Sequence, residues 1–99
     1  MSVFRLTPAA EADLDEIWRY TMRTWSAERA DRYSDDFFDA FDLLVQNPNL
    51  GRKAEGFGER YRRLFVGHHL VFYLVERSGD VLVVRILHER SDIPRHLDE

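Results

Sequence analysis

An arginine and a histidine, Arg85 and His88, lie in the apolar run "VVRILHERSD" at positions 83–92. Metal-free RNA cleavage needs a base for the 2′-hydroxyl, an acid for the leaving oxygen and cations for the phosphorane charge. Glu55 or Glu59 is the candidate base and His88 the candidate acid, with Arg62, Arg63 and Arg85 as candidate charge stabilisers. No spacing among them is diagnostic, and each has a structural alternative. Arg85 can pair with Glu89 or with an acid on a helix. His88 can be a strand-end histidine hydrogen-bonded to backbone.

Other chemistries find less support. Without cysteine there are no disulfides and no thiolate metal sites. His68 and His69 are adjacent, so on a strand they point to opposite faces. With His88 and His96 scattered along the chain, a zinc site is not expected. There is no glycine-rich phosphate loop and no Ser-His-Asp pattern, so no cofactor is expected either.

The chain must position these groups within one domain, because 99 residues leave no room for a second core. "SVFRLT" alternates like a short strand. Thr7-Pro8 then starts a helix, with threonine as N-cap and proline where no hydrogen bond is lost. Ala10, Leu14, Ile17, Trp18, Thr21 and Trp25 follow at helical spacing. Ser26 caps a second helix whose stripe is Ala30, Tyr33, Phe37, Phe41 and Leu44, and "NPNLG" ends it. A joint of one or two residues at Trp25-Ser26 makes the pair an antiparallel hairpin.

"RKAEGFGE", 52–59, reads as a polar loop containing Lys53, the chain's single lysine. Strands are expected over 61–66, 69–76 and 81–88, joined by turns at "VGHH" and "RSGD". Ser91-Asp92 reads as the cap of a last short turn. The expected fold is therefore α+β: strand, helix, helix, strand, strand, strand, with a helical hairpin on one face of a mostly antiparallel sheet.

Alternation sorts the strand residues into two sets. Phe4, Leu6, Leu64, Val66, Leu70, Phe72, Leu74, Leu82, Val84 and Ile86 are expected under the helices. Arg5, Tyr61, Arg63, Phe65, Val71, Tyr73, Val75, Val83, Arg85 and Leu87 are expected on the second face. That second set is too apolar for plain exposure, which implies a covering partner, the C-terminal tail or self-association.

Charge narrows the partner class. The net charge is −4, with five basic against ten acidic residues over 1–50 and nine against eight over 51–99. That is far from the basic footprint of an autonomous nucleic-acid binder, so no direct DNA binding is expected. The opening residues hold no apolar run of signal-peptide length, and no stretch approaches the twenty apolar residues of a membrane span. A cytoplasmic protein is expected.

Four segments, "FRLTPAAEADLDEIWRYT", "AERADRYSDDFFDAFDLLVQNPNLGR", "YRRLFVGHHLVFYLV" and "VVRILHERSD", together resemble the ParE branch of the RelE/ParE toxin superfamily across almost the whole chain. The resemblance implies the toxin half of a toxin–antitoxin pair, held inactive by a small ParD-like antitoxin in a hetero-oligomer and poisoning DNA gyrase when freed. The RelE branch instead cleaves messenger RNA in the ribosome. Its nucleases carry several lysines and often a late tyrosine, whereas here Lys53 is alone and no tyrosine follows Tyr73. In "HHLVF", His69 stands where YoeB-like nucleases carry an arginine, although His88 matches their late histidine. The resemblance thus implies a non-enzymatic gyrase toxin, with an mRNA endonuclease using Arg63, Arg85 and His88, or a binding module without toxicity, as alternatives. Antitoxin contacts are expected at Arg63, Tyr73, Val75, Val83, Arg85 and Leu87. Gyrase contacts are expected at Arg62, Arg63, His88, Arg90 and the C-terminal tail.

Overall fold

The computed structural model describes residues 2–91. Its elements are β1 (Phe4–Leu6), α1 (Pro8–Thr24), α2 (Ala27–Gln46), β2 (Arg52–Lys53), β3 (Arg62–Val66), β4 (His69–Val75) and β5 (Val81–His88). The sheet order is β1-β5-β4-β3-β2, parallel between β1 and β5 and antiparallel elsewhere. The expected helical hairpin on a mostly antiparallel sheet is present. The short edge strand β2 is additional, inside a segment read from the sequence as loop. Ser91-Asp92 as a cap, His96 and the C-terminal tail lie wholly or partly outside the described residues.

Both helices begin as the sequence implies. Thr7 Oγ1 accepts the Ala10 N–H at 3.1 Å, and Ser26 Oγ accepts the Arg29 N–H at 3.1 Å. Each side chain satisfies one of the donors that a helix start leaves free.

The face assignment needs correction. Antiparallel partners share a face, and Val66 pairs with His69 across the two-residue turn Gly67-His68. Even-numbered residues of β3 therefore face the same way as odd-numbered residues of β4. Val71 and Tyr73 join Leu64 and Val66 under the helices, packed with Phe37, Phe41 and Leu44 of α2. Leu70, Phe72 and Leu74, expected under the helices, lie on the second face.

In β5 the parity changes within the strand. Phe72 pairs with Arg85 but Tyr73 with Val83, leaving Val84 without a partner, a β-bulge. Val81, Val83 and Ile86 consequently face the helices, while Leu82, Val84 and Leu87 face away. Ala54 and Phe57 of the supposed polar loop cover part of the second face, and Phe57 meets Phe72 edge-on at 5.7 Å.

Tyr73 ties the helix exit to the sheet. Fully buried, it donates to Pro48 O at 2.7 Å and accepts the Gly51 N–H at 2.9 Å. Gly51 must be glycine, because a Cβ there would come within 2.7 Å of Arg63 O and the Tyr73 ring. Tyr73→Phe keeps the ring but strands two backbone groups. Urea denaturation is expected to show a loss of about 1–3 kcal/mol, with Gly51→Ala at least as damaging; wild-type stability in Tyr73→Phe would refute this assignment.

Candidate functional site

The sheet places Arg63 and His88 on opposite faces. Arg63 and Arg85 both stand opposite Phe72, one on either side of β4, so their backbones are roughly 10 Å apart. His88 pairs with His69 on the helix side of the sheet, the face opposite Arg63.

Arg85 has a structural partner. β1 ends at Leu6, so β5 beyond Val83 has no strand on that side. Residues at the start of α1 replace it. The Thr7 N–H donates to Val83 O at 3.0 Å, and Thr7 Oγ1 donates to Val84 O at 2.7 Å. Asp13 accepts the Ile86 N–H at 2.9 Å and takes Arg85 Nε and Nη2 at 2.8 and 3.1 Å. The bidentate pair is partly buried, and the Asp13 hydrogen bonds hold the Arg85 guanidinium above its ordinary pKa. Of the alternatives weighed from sequence, a helix acid is the partner and Glu89 is not.

His88 behaves as a strand-end residue, its Nδ1 accepting the Arg90 N–H at 3.1 Å. The three histidines among the described residues are not scattered, however. His68 lies in the turn rather than on a strand, which frees its side chain from the alternation assumed for it. Its ring stacks on His88 at 6.3 Å, and His69 meets His88 edge-on at 5.1 Å. His68 also contacts Glu89 at 3.0 Å. Even so, no group of three or more metal-ligating side chains with metal-binding geometry occurs among the described residues.

His69 is the most perturbed of the cluster. The Tyr33 hydroxyl donates its proton to Val66 O at 2.9 Å and lies 2.7 Å from His69 Nδ1, so neutral His69 is the donor in that contact. Burial, reinforced by His88 and His68, pushes the His69 pKa down to about 4. A neutral imidazole cannot supply the cation that an arginine would.

The expected contact residues divide. Tyr73 and Val83 are fully buried beneath the helices and do not belong to the exposed face on which they were expected. Arg62 is half-buried and donates to Gly51 O at 2.7 Å. Arg63, His88 and Arg90 are exposed and Leu87 is partly so. Val75 is also partly exposed but, paired with Val81, it lies on the helix side and not on the second face expected for it. Phe65, on the second face, is 55% exposed. Sequence reading missed an open cleft of about 480 Å³ on this face, lined by Arg52, Lys53, Ala54, Glu55, Phe57, Arg63 and Phe72. Trp25 at the hairpin tip is also exposed, with the Arg29 guanidinium 4.2 Å above its ring. Among the described residues no helix is long and apolar enough to cross a membrane.

The His69 shift has a pH consequence. The folded state binds this proton more weakly than the unfolded chain, for which 6.5 is the reference. Its contribution to stability is therefore whole above about pH 6.5 and is lost as pH falls towards 4. The full shift corresponds to roughly 3 kcal/mol, reduced by solvent screening because the ring is only half-buried. Urea midpoints measured from pH 8 to 4.5 should fall less in His69→Gln than in the wild type. An imidazole resonance titrating near 6.5 in the folded protein would contradict the assignment.

Comparison with known proteins assigns the chain. Residues 4–93 match the family described as the ParE toxin of type II toxin–antitoxin system, parDE. Toxin ParE1 of Mycobacterium tuberculosis (strain H37Rv) is 40% identical over 97% of this chain and 98% of its own length. Toxin ParE1 of Caulobacter vibrioides is 34% identical over 98% and 99%. The solved chromosomal ParDE system from P. aeruginosa superposes with a TM-score of 0.74 at 25% identity, covering 89% of this chain and 95% of that one. The RelBE2 toxin–antitoxin complex of M. tuberculosis shares the fold, with a TM-score of 0.67 at 16% identity and coverage of 88% and 96%. From residue 4 to residue 93, this chain belongs to the ParE toxin family of type II toxin–antitoxin systems.

Proposed function

We propose that the protein is a non-enzymatic cytoplasmic toxin that inhibits DNA gyrase and is neutralised by a ParD-like antitoxin in a hetero-oligomer. The carrying observation is the Asp13–Arg85 pair. It gives the one arginine inside the β5 run a role in closing the sheet edge. His88 lies on the other face from Arg63, which weighs against the nuclease alternative. General acid and charge stabiliser must both reach one phosphate, and this arrangement does not favour that.

An antitoxin partner is in keeping with the structural relatives, a ParDE system and a RelBE2 toxin–antitoxin complex. Its surface on this chain is the second sheet face and the adjoining helix grooves. Arg63 and Leu87 remain as contacts on the sheet face and Phe65 joins them, whereas Val75 shares the helix side with Tyr73 and Val81. Arg85 contributes there only through whatever part of its side chain Asp13 leaves open. Gyrase contacts at Arg63, His88 and Arg90 agree with their exposure.

Purified toxin in excess is expected to block gyrase supercoiling of plasmid DNA, and addition of antitoxin should restore it. Folded His88→Ala, checked by circular dichroism, should lose at most one of several gyrase contacts and remain toxic, whereas loss of a general acid would lower a rate by roughly a hundredfold. Unchanged supercoiling would remove the gyrase reading for the enzyme tested. Message cleavage by the wild type that is lost in folded His88→Ala would establish the endonuclease instead.

A further inference from the structure

The paired registers align four residues in a row across the second face. Arg52 of β2 stands opposite Arg63 of β3, Arg63 opposite Phe72 of β4, and Phe72 opposite Arg85 of β5. Asp13 answers the charge of Arg85. Nothing comparable answers the other two: among the described residues neither Arg52 nor Arg63 forms a salt bridge. Like charges directly opposite one another on neighbouring strands repel, so this pairing weakens the sheet edge.

That repulsion is located at the cleft. Arg52, Lys53 and Arg63 are exposed on its walls, Glu55 is its one acid, and Ala54, Phe57 and Phe72 form an apolar floor. The strand order ends at β2, so among the described residues the outer backbone edge of Arg52–Lys53 has no strand partner. An unpaired edge beside two opposed arginines suits an extended chain that carries carboxylates.

We infer that this cleft docks an extended acidic segment of the antitoxin, which continues the sheet past β2. Its carboxylates meet Arg52, Arg63 and Lys53, and one apolar side chain rests on the floor at Phe57 and Phe72. The inference rests on the proposed antitoxin partnership and adds to it a place and a chemistry. A net charge of −4 falls short of the basic footprint of a nucleic-acid binder and favours a peptide over a nucleic-acid strand.

The test uses the full chain and the antitoxin encoded beside it, with affinity measured by calorimetry at two salt concentrations. The variant is Arg52→Glu with Arg63→Glu, checked for folding by circular dichroism. Arg52→Gln with Arg63→Gln serves as a milder second pair that removes the repulsion. Binding should weaken at least about thirtyfold in the charge-reversed variant and by a smaller factor in the neutral one, with reduced salt dependence in both. The neutral pair should also be at least as stable as the wild type when unbound. Hydrogen exchange at residues 51–55 should slow in the wild-type complex.

Tight wild-type binding left unchanged in both variants would overturn the cleft as the docking site while leaving the partnership intact. No binding by the wild type would overturn the partnership, and the inference with it. Tighter binding of a twelve-nucleotide single strand than of antitoxin, abolished by the same substitutions, would overturn the peptide in favour of nucleic acid.

Discussion

The structure depends on how β5 is closed on its α1 side. A buried strand with a bulge exposes carbonyls and amides that a regular neighbour cannot reach. β1 is three residues long and stops beside Val83. Thr7 and Asp13 then serve as a substitute strand, satisfying Val83 O, Val84 O and the Ile86 N–H. Thr7 does this while capping α1, so helix start and sheet edge are fixed by one residue. Asp13 needs a counter-charge when drawn into this partly buried position, and Arg85 supplies it. The arginine in an otherwise apolar strand thus follows from the bulge.

Element order was readable from sequence because it rests on local signals. Thr7-Pro8 and Ser26 mark helix starts, and Asn47-Pro48 marks an exit. Which face each strand presents was less readable. Both residue sets of β3, β4 and β5 are largely apolar, so hydrophobicity could not choose between them. For β4 the signal was nonetheless present: a two-residue turn at Gly67-His68 inverts parity between the strands, and Gly67 has the positive φ of 58° that such a turn requires. For β5 no signal was available, because a bulge at Val84 flanked by valine, arginine and isoleucine leaves no mark in composition. Tyr73 moved from the expected contact surface into the core through the Gly67-His68 turn, and Val83, paired with Tyr73, moved with it.

The site was legible in part. That Arg85 could pair with a helix acid and His88 with backbone was foreseeable from residue type, and both contacts are present. The histidine cluster was not foreseeable, since it depends on His68 being in the turn and on His69 pairing with His88 across the hairpin. The cleft was hidden for a different reason. A loop rich in charge and glycine gives no hint that Ala54 and Phe57 seal a sheet face while Arg52 and Lys53 form a strand.

If the polar residues of β5 belong to the fold, Asp13 and Arg85 must be energetically coupled. A double-mutant cycle of Asp13→Ala and Arg85→Ala, read by urea denaturation, measures that coupling directly. The account predicts a coupling energy of about 1–3 kcal/mol, with Asp13→Ala the more damaging single change because it also strands the Ile86 N–H. A coupling near zero, with Arg85→Ala as stable as the wild type, would contradict it and leave the guanidinium free for chemistry.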